Sequence, residues 1–527
     1  MRNKGITWES TSNQYVNWLS SSDLRKEFSK NIKYDQLSLW WLTSLIEKDN
    51  LNDTTWYKNL FLTLKKKRVN LKKNTRIIYF IYKLLKKFFL HLATFVFVKI
   101  FLDKKKNIQA KKKNCIHSIT SNLITFKNNY LDRQYGMFGL KRKKDQLYFI
   151  EVIVNLNLIK NFSEIKKKFK KIPYDYYFAN HYISFNEILK IYFKTVSNLF
   201  ILLKILKKKN FFLINGKDCK EILEPKLISS FLGPIQEQLI RGKSLQNFLQ
   251  KNECKNFITC FDFHPGSRVL YYFANNSKVK NVINVNHANY SKNNFFFNFK
   301  LNDFSNKKKK DSFFSPKPDF YFCQGKKYYD KLKKVYKKKV FKIGSLKNEF
   351  DQSLKLFKTS KEYKNKHFKN QKKILLILCS LHDYQSFIKI LNKCNLENFN
   401  VVVLPHPHKV DETISNFRKK FKNNFVNGKI LTKSELIEHS DHIIFGDTSL
   451  GLELSVMNKS IFRVYDREFI PTFDIDDEIP TATSPITVSK FLEKKRMKQK
   501  SKLIEKLYFY KYDKKASQRF DSLLSKL

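Results

Sequence analysis

HIIFGDTSLGLELSVMNKSIFRVY, residues 442–465, reads strand, turn, helix, strand, and that reading decides the fold. HIIFG (442–446) is a short apolar run that ends on glycine. SLGLELSVMN (449–458) spaces its apolar residues for a helix, and SIFRVY (460–465) is again of strand length. Two strands joined through a helix pair in parallel with a right-handed crossover. The same alternation extends upstream. KKILLILC (372–379) is a strand and His382 to Cys394 a helix. NVVVLP (400–405) is a strand and Asp411 to Phe421 a helix. Lys429 to Leu431 forms a short third strand, and SELIEHS (434–440) a short helix with Ser434 at its N-cap. Residues 372–490 therefore read as one doubly wound domain.

Before it stands a similar series. LYFIEVIVNL (147–156), NFFLING (210–216), NFITCFDF (256–263), VINVNH (282–287), DFYFC (319–323) and VFKIG (340–344) are apolar runs of strand length. FNEILKIYFKTVSNLFILLKIL (185–206) and Pro225 to Gln250, broken at Pro234, have helical spacing. Strands alternating with helices imply a second parallel sheet. The expected class is α/β: two Rossmann-like, doubly wound domains facing across a cleft. The expected divisions are an N-terminal domain over 1–345, a Lys- and Asn-rich linker over 346–371, a C-terminal domain over 372–490 and a basic helical tail over 491–527. The first third differs in texture. It has no proline before Pro173 and holds all five Trp within its first 56 residues. A basic apolar helical insertion is expected at about 64–115, then a bridge over 116–144.

The chain has 527 residues, 103 Lys or Arg against 46 Asp or Glu, and a net charge of +57. Hydrophobic residues at 42% exclude wholesale disorder, and only 12 Gly and 11 Pro exclude collagen-like and Pro-rich proteins. Seven Cys stand singly with no CxxC pair, which argues against a zinc ribbon or a disulfide scaffold and for a reducing compartment. Lys, Asn, Phe, Ile and Tyr are abundant together, the pattern of an A/T-rich genome. The lysines are spread in runs such as Lys166 to Lys168 and Lys307 to Lys310, and most read as solvated surface. A nucleic-acid-binding protein is the rival that +57 suggests, but no helix-turn-helix, zinc-finger or RNA-recognition signature accompanies the charge. Met1 to Trp18 is polar, so no signal peptide is expected. FFLHLATFVFVKIFL (88–102) contains His91 and Lys99 and is flanked by Lys86, Lys87 and Lys104 to Lys106. It falls short of the roughly 20 apolar residues of a span and reads as a helix on an anionic membrane surface, ahead of a buried core helix.

Ligands of open α/β sheets bind outside the carboxyl ends of the strands. Ser380 to Asp383, then Pro405, His406, Pro407, His408 and Lys409, then Gly446, Asp447, Thr448 and Ser449, occupy three such ends. His406, His408 and Lys409 offer donors and positive charge. Thr448 and Ser449 open a helix, whose first amides and partial positive charge suit a phosphate. Glu453, at i+4 from Ser449, lies on the same face and suits ribose hydroxyls. Each feature has a plainer reading, as a turn, an N-cap or a metal site at His406 and His408, and their order along the chain favours a nucleotide. No GxGxxG or GxxxxGK[ST] is present. In the upstream domain, Asp262 and His264 after one strand and His287 after another are the acid/base candidates, against capping roles.

These residues resemble the GT-B glycosyltransferases of bacterial surface polysaccharides. The likeness is nearest to the "surface carbohydrate biosynthesis protein" group, and more distant to CMP-sugar-using sialyl-, polysialyl- and Kdo-transferases and CDP-glycerol polymerases. It rests on His406-Pro407, Asp447-Thr448-Ser449, Glu453, VNH (285–287), PDFYFCQG (318–325), IGSLK (343–347) and YDQLSLWWLTSLIEKD (34–49). The resemblance implies a metal-independent enzyme without a cofactor, taking a CMP- or CDP-linked sugar. It implies His406 and Thr448/Ser449 at the donor's phosphate and Glu453 at its ribose. The acceptor would be a glycan or lipid-linked glycan, and the place the inner face of the cytoplasmic membrane. Where the family carries a catalytic carboxylate in its first domain, this chain offers Asp262. An inactive scaffold of the same shape is a third reading.

Overall fold

The computed structural model describes the chain apart from residues 1–7, 47–53, 66–76, 103–111, 127, 142, 153–161, 261–263, 287–299, 301–302, 305–311, 354–371, 381–382, 407–409, 423, 428–432, 458, 467–474, 476–477 and 495–499. Two sheets organise it. The first contains β1 (Lys112–Ile119), β2 (Gln146–Glu151), β3 (Asp175–Phe178), β4 (Cys254–Thr259), β5 (Asn281–Val285), β6 (Phe320–Cys323) and β7 (Val340–Lys342). Its order is β7-β6-β5-β4-β1-β2-β3, with every pairing parallel. The second contains β8 (Lys373–Leu378), β9 (Phe399–Leu404), β10 (Phe425–Asn427), β11 (His442–Phe445), β12 (Ile461–Val464) and β13 (Thr481–Ala482). Its order is β10-β9-β8-β11-β12-β13, again all parallel. These are the two doubly wound, Rossmann-like sheets that the sequence leads one to expect. In each, the chain enters at the middle, winds to one edge, then returns and winds to the other. The order reverses between β1 and β4, and between β8 and β11.

Both sheets are covered on both faces, which is why most of their strands are apolar runs. In β8, Ile374, Leu376 and Leu378 enter one core while Leu375 and Ile377 enter the other. In β2, Leu147 and Phe149 point to one side, Tyr148 and Ile150 to the opposite one. The Trp-rich start belongs to the first domain, where Trp18, Trp40 and Trp41 pack in its larger core. Arg25 is buried there, donating to Asp303 at 2.5 Å.

Eight helices matter to the site: α1 (Ile77–Phe101), α2 (Phe185–Lys208), α3 (Pro234–Lys251), α4 (Pro265–Asn275), α5 (Leu346–Ser353), α6 (Tyr384–Leu391), α7 (Ser449–Val456) and α8 (Ala516–Leu524). A capping box of Ser184 and Glu187 starts α2. The helical run around Pro234 is two helices, Lys220–Ser230 and α3. Gly233, with φ +130°, turns the corner and Pro234 fits the first helical position.

The structure departs from several of these expectations. The span 64–144 is not simply insertion and bridge, because β1 is a central strand of the first sheet. Its sequence, KKNCIHSI, hides this by its polarity. Those polar groups are satisfied across the sheet: Asn256 donates to Asn114 at 2.9 Å, and His117 lies 3.1 Å from the Thr259 hydroxyl. NFFLING contributes only Leu213–Ile214, a small antiparallel pair with Lys217–Asp218 outside both sheets. The strand read at 429–431 lies outside the described residues, and Phe425–Asn427 fills the third place on that side. Of the expected linker, residues 346–353 are helix α5. The tail returns to the first domain. Ile504, Tyr508 and Phe509 sit in the second domain's core, while Ala516, Phe520 and Leu524 of α8 sit in the first domain's.

Candidate functional site

In the second sheet, the reversal between β8 and β11 is built around Asp383. The amide of Ser380 donates to one of its carboxylate oxygens at 2.7 Å, and the amide of Asp447 to the other at 3.0 Å. One buried carboxylate thus joins the turns that follow β8 and β11. Burial pushes its pKa up to about 7, although the two amides pull it down. Gly446 passes directly over it: a Cβ there would stand 2.4 Å from Asp383 Oδ2.

Arg463, fully buried on β12, holds the same turn from the other side. Its Nη2 lies 2.9 Å from Asp447 Oδ1, and its Nε donates to the Gly446 carbonyl at 3.0 Å. The register makes this possible, since Phe445 pairs with Arg463. Thr448 is the N-cap of α7, its hydroxyl oxygen accepting from the Leu450 amide at 3.3 Å. Ser449 is the first helical residue and half-buried. Glu453, one turn on, is buried and 3.8 Å from Lys347 Nζ of α5, an ion pair between the domains. His406 follows β9 and is half-buried. Pro407, His408 and Lys409 lie outside the described residues.

In the first sheet, the reversal falls between β1 and β4, and a polar cluster occupies it. His117 on β1 is fully buried, with Nε2 2.8 Å from Glu151 Oε1 at the end of β2 and Nδ1 3.1 Å from Thr259 Oγ1 at the end of β4. A carboxylate only accepts, so in the neutral ring Nε2 carries the hydrogen and Nδ1 accepts from the threonine. Arg241 of α3 donates to the other oxygen of Glu151 at 2.7 Å. Its guanidinium also abuts the start of α4, where a Cβ on Gly266 would come within 2.6 Å of Nη1. His264 caps α4, its Nδ1 accepting from the Gly266 amide at 3.2 Å. On the other face of β1, Ser118 donates to the fully buried Asp132, whose pKa burial pushes up to about 7. Asp262 and His287 lie outside the described residues.

The sequence reading therefore places His264, Ser380, His406 and 447–449 at strand ends, but passes over His117, Glu151, Arg241 and Arg463. A usable signal existed for two of these. Glu151 in LYFIEVIV and Arg463 in SIFRVY are charges inside apolar strand runs, and a buried charge requires a partner. The two sheet edges meet: besides Lys347 with Glu453, Lys327 beyond β6 lies 3.9 Å from Glu478.

No protein-family model and no curated protein sequence matches the chain. Solved structures do show likeness. The wall teichoic acid polymerase TagF with CDPG is 11% identical over 86% of this chain and 98% of its own, with a TM-score of 0.38. UDP-GlcNAc 2-epimerase from Neisseria meningitidis bound to UDP-GlcNAc is 11% identical over 79% of this chain and 100% of its own, at 0.44. A putative UDP-N-acetylglucosamine 2-epimerase from Listeria monocytogenes is 10% identical over 78% and 96%, also at 0.44. At these values the likeness is one of overall arrangement and assigns no residue of this chain a role.

Proposed function

We propose that the chain is a glycosyltransferase of surface polysaccharide assembly, peripheral at the cytoplasmic face of the membrane, taking sugar from a CMP- or CDP-linked donor. The observation that carries this reading is the turn 446–449, which opens α7 beside β8 where the strand order reverses. The first amides of α7, the Ser449 hydroxyl and His406 receive the donor's phosphate. Asp383, neutral below about pH 7, then sets no full negative charge beside it. Glu453 serves the ribose. At the first sheet's edge, Glu151 takes the proton of the acceptor hydroxyl, positioned by His117 and Arg241, with Asp262, His264 and His287 as the alternative bases. The acceptor oxygen bonds to the anomeric carbon, the bond from that carbon to the phosphate breaks, and the nucleotide leaves carrying the electron pair. The acceptor is a glycan or lipid-linked glycan, and neither metal nor cofactor enters the step.

The test is thermal stabilisation by CMP, CDP, UDP and GDP. A ligand at 100 times its Kd stabilises by about 2.7 kcal/mol, so CMP or CDP raises the melting temperature and the others do so less. His406→Ala and Ser449→Ala each lower that affinity by roughly tenfold, equivalent to about 1.4 kcal/mol. Absence of any nucleotide shift, with salt-steep RNA binding at about 0.15 M salt, overturns the reading in favour of a nucleic-acid-binding protein. A nucleotide shift without donor hydrolysis or transfer leaves an inactive scaffold.

A further inference from the structure

Among the described residues, twelve of the fifteen exposed large apolar side chains belong to α1 and α2. On α1, Tyr82, Leu85, Phe89, Val96 and Ile100 follow the 3.6-residue period of a single face and are 41–67% exposed. Its inward face is apolar as well, with Leu84, Phe88 and Phe95 against the core and Val98 buried. A helix lying on a water-facing surface turns a mainly polar face outward, whereas on α1 the exposed Lys86 and Lys99 stand among exposed apolar side chains.

On α2, Phe193 and Phe200, seven residues apart on one face, are 73% and 61% exposed among the exposed Lys190, Lys194 and Lys204. The helices are neighbours: the Phe88 and Tyr192 rings stand 5.0 Å apart, and His91 Nδ1 lies 2.7 Å from the Tyr192 hydroxyl. α1 carries Lys83, Lys86, Lys87 and Lys99 and no acidic residue, and the only acidic residue of α2 is the capping Glu187. No helix among the described residues is long and apolar enough to cross a membrane.

We infer that α1 and α2 together form a docking surface for an anionic phospholipid bilayer. The aromatic and aliphatic stripes enter the boundary between headgroups and acyl chains, and the lysines other than Lys87, which turns inward to Glu237, meet the phosphates. The charge selects this occupant. A second copy of the chain brings another +57, and the two lysine-bearing faces repel, whereas an anionic bilayer complements both the apolar stripes and the lysines.

The full chain is sedimented with phosphatidylcholine vesicles with and without phosphatidylglycerol. Binding is expected to the mixed vesicles and to be at least roughly tenfold weaker to pure phosphatidylcholine. Phe89→Ser/Ile100→Ser and Phe193→Ser/Phe200→Ser each weaken it by at least roughly tenfold, since each removes two large apolar groups from the bilayer. Their melting temperatures stay within those of exposed-site variants, because none of the four side chains is part of a core. Carbonate washing releases the protein from native membranes. Equal binding to both vesicles, unchanged binding by either variant, or retention after carbonate overturns the inference. So does a dimer in vesicle-free solution that these variants abolish, which assigns the face to a second copy. Vesicle binding is read without substrate, so its outcome is separate from that of the transfer reaction.

Discussion

Arg463→Met tests whether the turn at 446–448 is held from behind by one buried cation. The variant keeps the apolar stem and removes the guanidinium. Asp447, whose side chain is 3% exposed, loses the guanidinium beside it, and the Gly446 carbonyl loses its donor. Removing one member of a buried ion pair costs about 3–5 kcal/mol. A cooperative unit of 150–250 residues loses roughly 2–4 °C per kcal/mol, so calorimetry should show a melting temperature lower by roughly 6–20 °C. Arg463→Met/Asp447→Asn also removes the carboxylate charge, so the main remaining loss is the donor to the Gly446 carbonyl, worth about 1–3 kcal/mol. The double variant should therefore be more stable than Arg463→Met alone, a coupling that a double-mutant cycle reads directly. Nucleotide affinity should fall in both, because the start of α7 is no longer fixed. A loss under about 1 kcal/mol for Arg463→Met, or a double variant worse than either single, refutes this account.

Asp132 and Asp383, both fully buried, bind their protons more tightly in the folded chain, at about 7 against an ordinary 3.8. The stability this contributes is complete below the unfolded value and is lost as pH climbs through 7, so the melting temperature should fall from about pH 5 to pH 8. Asp132→Asn and Asp383→Asn should flatten that slope, and a flat wild-type profile would sink the argument. Glu151→Gln keeps the shape of the carboxylate and removes its basicity. Transfer should drop by roughly 10²-fold or more while nucleotide stabilisation and folding persist; unchanged turnover removes Glu151 from the reaction.

The parts of the fold legible in the sequence are those whose burial is two-sided. KILLIL and HIIF announce themselves because parallel strands covered on both faces are continuous apolar runs. β1 does not, since Asn114 and His117 are buried by pairing with Asn256 and Thr259, which are 142 residues away in each case. The site divides in the same way. The turn at 446–449 is legible because a strand ending on glycine before a helix is a local pattern. The partners of its side chains are not local. The sequence places Asp447 at a strand end, and only the fold shows its carboxylate held by Arg463 through the β11–β12 register. Thr448 is expected to donate to a phosphate; its oxygen accepts from the Leu450 amide as an N-cap, which leaves its hydroxyl hydrogen for a further bond. Glu151 meets His117 and Arg241 only once β1, β2 and α3 are side by side, and strand order is not written in hydrophobic periodicity.

The charge of the chain also resolves into two populations. The two fully buried cations beside carboxylates are arginines, Arg25 with Asp303 at 2.5 Å and Arg463 with Asp447 at 2.9 Å, while Arg241 on Glu151, Lys347 on Glu453 and Lys327 on Glu478 are about a fifth to a quarter exposed. A planar fork that cannot lose its proton suits such places better than a flexible ammonium. The lysines make up the exposed charge of α1 and α2, where they face outward among aromatic side chains. Lys87 joins the two populations. It projects from α1 to within 3.8 Å of Glu237, and Glu237 lies 4.0 Å from Arg241, which in turn holds Glu151. The helix whose outer face is apolar is therefore anchored through its inner face to the group placed at the first sheet's edge. The net charge of +57 does not reveal the few arginines that lie beside Asp303, Asp447 and Glu151.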